Sequence, residues 1–428
     1  MLKYKIIFLL CLSAFLLLKD RPCAAEQLPS FQTRTNINLY ETFRIENKTY
    51  PLFDNKLAGK RNFSFNMIKL QLEEKIAPDF SFNLSLLDYR YFYRAPSDNA
   101  GISATNSEIS VLNMRFEEFL GNKKLKAVIG RQESVCKECR VMGLGNWIIG
   151  RIWDGVRLTY YDTPSETLDF YSFEVKRTPV DPPCQSRGIY YYNETRGVEL
   201  YVMNKVDRNK ISGEMPNGNP GNVDVKTFGY KQAKKIGKKI VAKSEIAYQK
   251  GMYGPDEHRA HASHFEVKYD APVSLIFEYN EASGDNDPKD GRHETFDNLF
   301  PANYGKYGYM NYMSWQNMKE YCITGTKTFK NDLNVKAGFH KFMLNSPYDA
   351  WYNSFLSKQR SDPSGKSGTD IGREVDIIFT KKLNKNTDME FGTAKFFAGD
   401  FVKNTASSGD STVNSVWTYF QLSKKCSF

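Results

Sequence analysis

After residue 25 the chain has no apolar stretch long enough to cross a bilayer as a helix, which argues against a helical membrane protein. It also has no Pro-rich or Ser-rich linker and no long run of like charges, so nothing divides it into separate domains. Histidine is scarce, at five residues, and GxSxG, GxxxxGK[ST] and HExxH are all missing; the familiar hydrolase, nucleotide and zinc-protease chemistries find no motif here. No segment shows a convincing amphipathic-helix period. Cysteine is sparse too. Cys136, Cys139, Cys184, Cys322 and Cys426 follow residue 25, and Cys136-Lys-Glu-Cys139 is a CxxC with no second pair to complete a zinc site. A loop disulfide in an oxidising compartment is its expected fate.

What is present begins with a targeting segment. Lys3 and Lys5 precede an apolar run over residues 6–18, and Cys23-Ala24-Ala25 supplies small residues before Glu26. This reads as a Sec-type signal peptide over residues 1–25, cleaved after Ala25. Its loss removes four Lys/Arg and one Asp, which takes the formal charge from +10 to +7. The basic excess suits an anionic partner. Aromatics make up 14% of the residues, with 26 Tyr and 30 Phe, yet mean hydropathy is −0.54. Strands that alternate apolar and polar, with aromatic girdles at two interfaces, have this combination.

Residues 26–428 read as strand, turn, strand. Phe80, Phe82, Leu84 and Leu86 fall on one face of a strand and Ser81, Asn83 and Ser85 on the other. Val156, Leu158 and Tyr160 likewise oppose Arg157 and Thr159. Val273, Leu275, Phe277 and Tyr279 oppose Ser274, Glu278 and Asn280, and Val375, Ile377 and Phe379 oppose Glu374 and Asp376. Short polar turns near residues 330–332 and 382–387 alternate with long stretches at 95–107, 215–223, 286–310 and 347–369. The expected fold is all-β: a single transmembrane antiparallel barrel of about 16 to 18 strands, with tight periplasmic turns and long external loops. A barrel of that size leaves an aqueous channel. The terminal Phe428 suits recognition by barrel-assembly machinery.

Several motifs in order resemble the alginate export family: Gly130-Arg-Gln-Glu133, Arg151-Ile-Trp-Asp-Gly-Val-Arg-Leu158, Glu281-Ala-Ser-Gly-Asp285, Phe296-Asp-Asn-Leu-Phe-Pro-Ala-Asn303 leading to Tyr307-Gly308, Asp349-Ala-Trp-Tyr352, and Phe396-Phe-Ala-Gly-Asp-Phe-Val-Lys403. The resemblance implies an outer-membrane barrel of eighteen strands, an arginine-lined electropositive constriction, loops that gate the lumen, and passage of a polyuronate. The chain departs from the family at Tyr304, where a His is common, and in the CxxC insert.

The candidate pore-lining residues are Arg131, Arg151, Asp154, Arg157, Glu278, Glu374 and Asp376. Arg157 lies opposite Val156 and Leu158, so it should face the lumen, and Arg151 shares its face by the same count. A lumen guanidinium suits the carboxylates of a passing polymer, provided each contact stays weak. Simple alternation puts Asp154 on the lipid face; either a bulge at Gly155 turns it inward or it sits near a rim. Glu278, Glu374 and Asp376 could pair with the arginines. His258, His261 and His264 form HxxHxxH, but a spacing of three on a strand alternates faces, so no metal site is expected, and no cofactor. The expected role is passive export of an anionic, alginate-like exopolysaccharide. A small-solute anion-selective porin is the main alternative, followed by a plugged structural barrel and a secreted polysaccharide-acting enzyme. Expected partners are anionic polysaccharide or small anions, outer-membrane lipid and periplasmic export proteins, with no nucleic acid, and a monomer is expected.

Overall fold

The computed structural model describes residues 34–49, 60–94, 105–133, 140–143, 150–176, 184–213, 219–406 and 414–428. The signal-peptide segment and Cys136 and Cys139 lie outside them. Twenty-one strands follow in order. The first seven are β1 (Arg34–Thr49), β2 (Lys60–Ala77), β3 (Phe80–Arg94), β4 (Thr105–Phe116), β5 (Leu125–Gln132), β6 (Trp153–Thr163) and β7 (Glu166–Val175). The next seven are β8 (Cys184–Asn193), β9 (Val198–Ile211), β10 (Gly221–Ile236), β11 (Ile240–Tyr253), β12 (Asp256–Tyr269), β13 (Ser274–Ala282) and β14 (Arg292–His293). The last seven are β15 (Met318–Thr328), β16 (Leu333–Met343), β17 (Ala350–Tyr352), β18 (Lys358–Ser361), β19 (Asp370–Asn384), β20 (Thr387–Ala398) and β21 (Ser415–Ser427).

Eighteen of these strands form one closed antiparallel barrel. Each pairs with its neighbour in sequence, and β21 returns to pair with β1 from Asn38↔Ser427 to Thr49↔Val416. The remaining three lie on loops: β14 pairs in parallel with Glu257–His258 of β12, and β17 and β18 form a separate hairpin. The strand count matches the upper end of the sequence estimate, because every connection at one end is short. Examples are residues 78–79, 164–165, 237–239 and 385–386.

The barrel inverts a soluble protein. Along β9, Val202 is 44% exposed while Met203 is fully buried. The exposed face carries an apolar belt whose members meet across strands: Leu158↔Phe170, Phe170↔Ile189, Ile189↔Val202, Val202↔Phe228 and Phe228↔Tyr248. That face is suited to lipid, and the alternate face lines the lumen. The expected alternation holds at Phe82, exposed, beside buried Ser81 and Ser85. In β12 it holds too: His258 and His264 are buried inward while His261 is exposed, so the three imidazoles diverge.

Candidate functional site

The lumen is defined by what folds into it. Residues 283–317, between β13 and β15, turn inward rather than away, and Phe296, Leu299, Phe300, Tyr307, Met310, Tyr312, Met313 and Trp315 bury into one apolar cluster with Trp153, Trp351, Phe396 and Trp417. Apart from the two-residue strand β14 the segment has no regular structure, so its backbone is satisfied by what it packs against. Phe300 donates its N–H to Val141 O at 2.9 Å and Gly143 donates to Phe300 O at 2.8 Å. Asp297 N donates to Gln249 Oε1 at 2.8 Å, and Gln249 Nε2 donates back to Asp297 O at 2.7 Å. Met310 N donates to Glu374 Oε1 at 2.9 Å, while Lys48 donates to Met310 O and stands over the Tyr312 ring. A second inward segment carries the β17–β18 hairpin, and its Trp351 Nε1 donates to Tyr312 O at 2.8 Å.

Among the described residues, β1–β5 contribute nothing to this apolar cluster. Beside them lies an open polar cavity of about 330 Å³, lined by Asn38, Gln71, Glu73, Asn83, Ser85, Asn113, Arg115, Gln132, Glu133 and Arg157. The lumen at this level is therefore divided. Aromatic side chains and inward loops fill the side toward the later strands, and amides, the Ser85 hydroxyl, two arginines and the carboxylates of Glu73 and Glu133 face the free space.

The predicted residues separate into two groups. Arg157 faces inward and its Nη2 pairs with buried Asp169. Arg151 also faces inward, donating to Phe300 O at 2.6 Å and Gly143 O at 2.9 Å. Glu278 stands 3.5 Å from Arg140, Glu374 accepts from Met310, and Asp376 lies 3.2 Å from His340. Arg131 and Asp154 go the other way. They are directly opposite each other on β5 and β6 and bonded to one another at 2.8 and 3.0 Å. They share the outward face with Ile129 and exposed Val156, and the register runs through Gly155 without a bulge. That unbroken alternation corrects the expectation that Arg131 lines the lumen, and of the two placements open for Asp154 it leaves the one near a rim. They form an ion pair near the loop-side rim, beside Glu174 and Lys176.

Several inward charges were not singled out in the sequence. Thr42, Arg44, Glu46 and Lys48 alternate with Phe43 and Ile45, so the rule that found Arg157 also reaches them. Arg140, Lys205 and Lys231 needed the fold, because their partners lie on distant strands or loops. The inner wall is mixed in sign. One cross-strand row reads Glu199, Lys231, Glu245, His264, Asn280, Glu320. The basic excess of the sequence thus does not become a uniformly basic lumen.

Loop charges show what burial does. Arg151 is buried against carbonyls, and burial holds its guanidinium down to about 10. Burial opposes charge on Arg140 as well, but Tyr307, Glu278 and Glu245 raise it above the usual arginine value. Burial would raise Asp297; Lys205, 2.7 Å away, overrides it and keeps the carboxyl below the usual aspartate range. His293 stacks on Tyr253 with ring centroids 3.8 Å apart and touches His258 at 3.0 Å. Burial, then the neighbouring His258, push it down to about 3. Among the described residues two clusters have metal-ligating groups, Glu320–Cys322–His340 and His264–Glu266–Glu278. Arg140 already stands 3.0 Å from His264 in the second.

Comparison with known proteins adds three findings. The alginate export family model matches residues 85–416. The sequence matches no curated protein. Among solved structures the fold is similar to that of OccAB2 of Acinetobacter baumannii (TM-score 0.60, 12% identity, covering 92% of this chain and 98% of that one). It is also similar to OccK2 (OpdF) of Pseudomonas aeruginosa in complex with glucuronate (TM-score 0.58, 11% identity, 92% and 98%). A third is OpdK of Pseudomonas aeruginosa with vanillate (TM-score 0.62, 8% identity, 92% and 99%).

Proposed function

Because the chain belongs to the alginate export family and has the fold of an outer-membrane porin, we propose that it conducts a uronate-type anionic saccharide, as the export route for an alginate-like exopolysaccharide. The observation that carries this reading is the polar cavity beside β1–β6. Asn38, Gln71, Asn83, Asn113 and Gln132 offer donors and acceptors to sugar hydroxyls, and Arg115 and Arg157 offer charge-assisted bonds to carboxylates. Arg157 already has Asp169, so a passing carboxylate competes for it rather than filling an empty site, which keeps each contact weak enough to release. Glu73 and Glu133 line the same cavity, Glu133 paired with Lys69 at 2.6 Å, so selectivity on this view is local to the two arginines rather than spread over the cavity. Synthesis behind the polymer supplies the force. A Sec-type leader cleaved after Ala25 delivers the chain to the outer membrane.

The test is single-channel conductance of the folded protein in a salt gradient, with titration by polyuronate. The expected result is anion preference and block by polyuronate. Arg115→Glu and Arg157→Glu should each weaken block by about tenfold, the worth of one charge-assisted hydrogen bond. Unchanged block in both variants would overturn the assignment. A second reading, a small-solute anion porin, is supported by the inward aromatic segment, which occupies part of the lumen. It predicts conductance of monomeric uronates with no block by the polymer.

A further inference from the structure

The inner wall across β15, β16 and β19 gathers ligand-type side chains that the transport reading does not use. Cys322 and His340 are directly opposite each other on β15 and β16, and His340 is opposite Glu374 on β19. Asp376, two residues further along, faces the same way. His340 Nε2 lies 3.9 Å from Cys322 Sγ and 3.2 Å from Asp376 Oδ2. On the other side of the ring, Nδ1 lies 2.7 Å from Glu320 Oε1, and the second oxygen of Glu320 accepts from Asn280 Nδ2 at 2.7 Å. Glu320 is thus fully engaged. The Glu320 contact holds the ring so that Nε2 faces the thiol and the aspartate, the carboxylate–histidine arrangement that orients a metal ligand.

The two remaining carboxylates point to a cation. Glu374 and Asp376 are buried and interact directly with each other. Glu374 Oε2 and Asp376 Oδ1 are buried without a hydrogen-bond partner, and Asp376 Oδ2 has only its 3.2 Å contact with His340 Nε2. Orphaned carboxylate oxygens are costly in a dry wall, and a divalent ion would supply the partner they lack. The two separations around Nε2, 3.9 Å to the thiol and 3.2 Å to the aspartate, are close to the roughly 3.5 Å and 3.4 Å that Zn–S, Zn–N and Zn–O bonds set in a tetrahedral site.

We propose that Cys322, His340, Asp376 and Glu374 form a site for a divalent transition-metal ion, with Glu320 orienting the imidazole. A thiolate, an imidazole and carboxylates together favour zinc over calcium or magnesium, which take oxygen ligands. The site lies beneath the inward segment: Gly308, at φ +76°, packs so closely that a Cβ there would meet Glu374 Oε1 at 2.5 Å, and Met310 N is bonded to the same carboxylate. A bound ion would tie three wall strands together at the point where that segment docks.

The experiment uses the full chain, folded in detergent with its thiols reduced, and Co²⁺ as the probe, displaced by Zn²⁺. One equivalent of Co²⁺ should bind with a thiolate-to-cobalt charge-transfer band. The band should persist when Cys136 and Cys139 are both changed to Ser and vanish in Cys322→Ser. Glu320→Gln should weaken Zn²⁺ binding by about 10- to 100-fold, as loss of a partner behind a metal ligand does. No Co²⁺ band, a band that survives Cys322→Ser, or one lost with Cys136 and Cys139 would overturn the site. If Cys322→Ser loses the heat-modifiable gel migration of a folded barrel, Asp376→Asn decides. A tenfold or greater loss of Zn²⁺ affinity supports the site, and unchanged affinity overturns it. None of these readouts depends on what the pore conducts.

Discussion

Arg151 has its charge inside the barrel, bonded to backbone carbonyls of two separate segments, Gly143 O and Phe300 O. Its work is mechanical: it fastens the 140–143 loop and the inward segment to the root of β6. Arg151→Ala should leave Gly143 O without this donor and Phe300 O with only the Gly143 N–H, which loosens the inward segment by about 1–3 kcal/mol. Single-channel recording should then show larger, noisier openings in a barrel that still migrates as folded; an unchanged current would show that the segment holds without it. Arg157 differs although it shares a motif with Arg151. It pairs with Asp169 and opens on the polar cavity. Arg131 and Asp154 differ again, meeting on the outer face. One arginine-rich stretch of sequence therefore places charges in a loop anchor, on a lumen wall and at a lipid rim.

The inward segment 283–317 is the element on which the free cross-section depends. Its docking near the loop-side mouth includes β14 against β12 and His293 stacked on Tyr253. Because docking lowers the His293 pKa to about 3, from an ordinary value near 6.5, the released segment binds the proton more readily than the docked one. Docking is therefore fully stabilised above about pH 6.5 and weakens progressively as pH falls toward 3. Asp297 acts in a lower window: its depressed carboxyl supports docking above about pH 4 and loses that effect in stronger acid. Recordings at pH 7 and pH 5 should show more frequent fluctuations at pH 5, and His293→Asn should abolish the difference. Equal fluctuation at both values in the native chain would remove the imidazole from this role.

For the whole molecule, closure matters most. The β1–β21 seam removes the last open edge, and the belt of Leu158, Phe170, Ile189, Val202 and Phe228 runs across five neighbouring strands of the outer face. Depth sets the effect of a charge on that belt. Ile189→Arg, midway along β8, should destabilise the barrel by about 2–4 kcal/mol, whereas Val416→Arg, at the loop end of β21, should cost about 0–1 kcal/mol. Reversible unfolding in lipid by urea measures both; equal effects would mean that the belt does not sit across the bilayer as its position implies.

The sequence by itself determined the strands and their two faces. A period of two is local, so Phe82 against Ser81, Val156 against Arg157 and Val375 against Glu374 could be read without knowing a neighbour. The alternation of short and long connections in turn determined the barrel, and the ordered motifs determined the family. Only the tertiary structure decided where the long loops go. Residues 283–317 carry apolar side chains with no period, and such a stretch can turn outward or inward until the wall supplies its hydrogen bonds. The fold likewise decided that Gly155 makes no bulge and leaves Asp154 outside, since a bulge depends on pairing with the next strand. It also brought Cys322, His340 and Asp376 together from three strands, a grouping that strand register creates and that no spacing along the chain reveals.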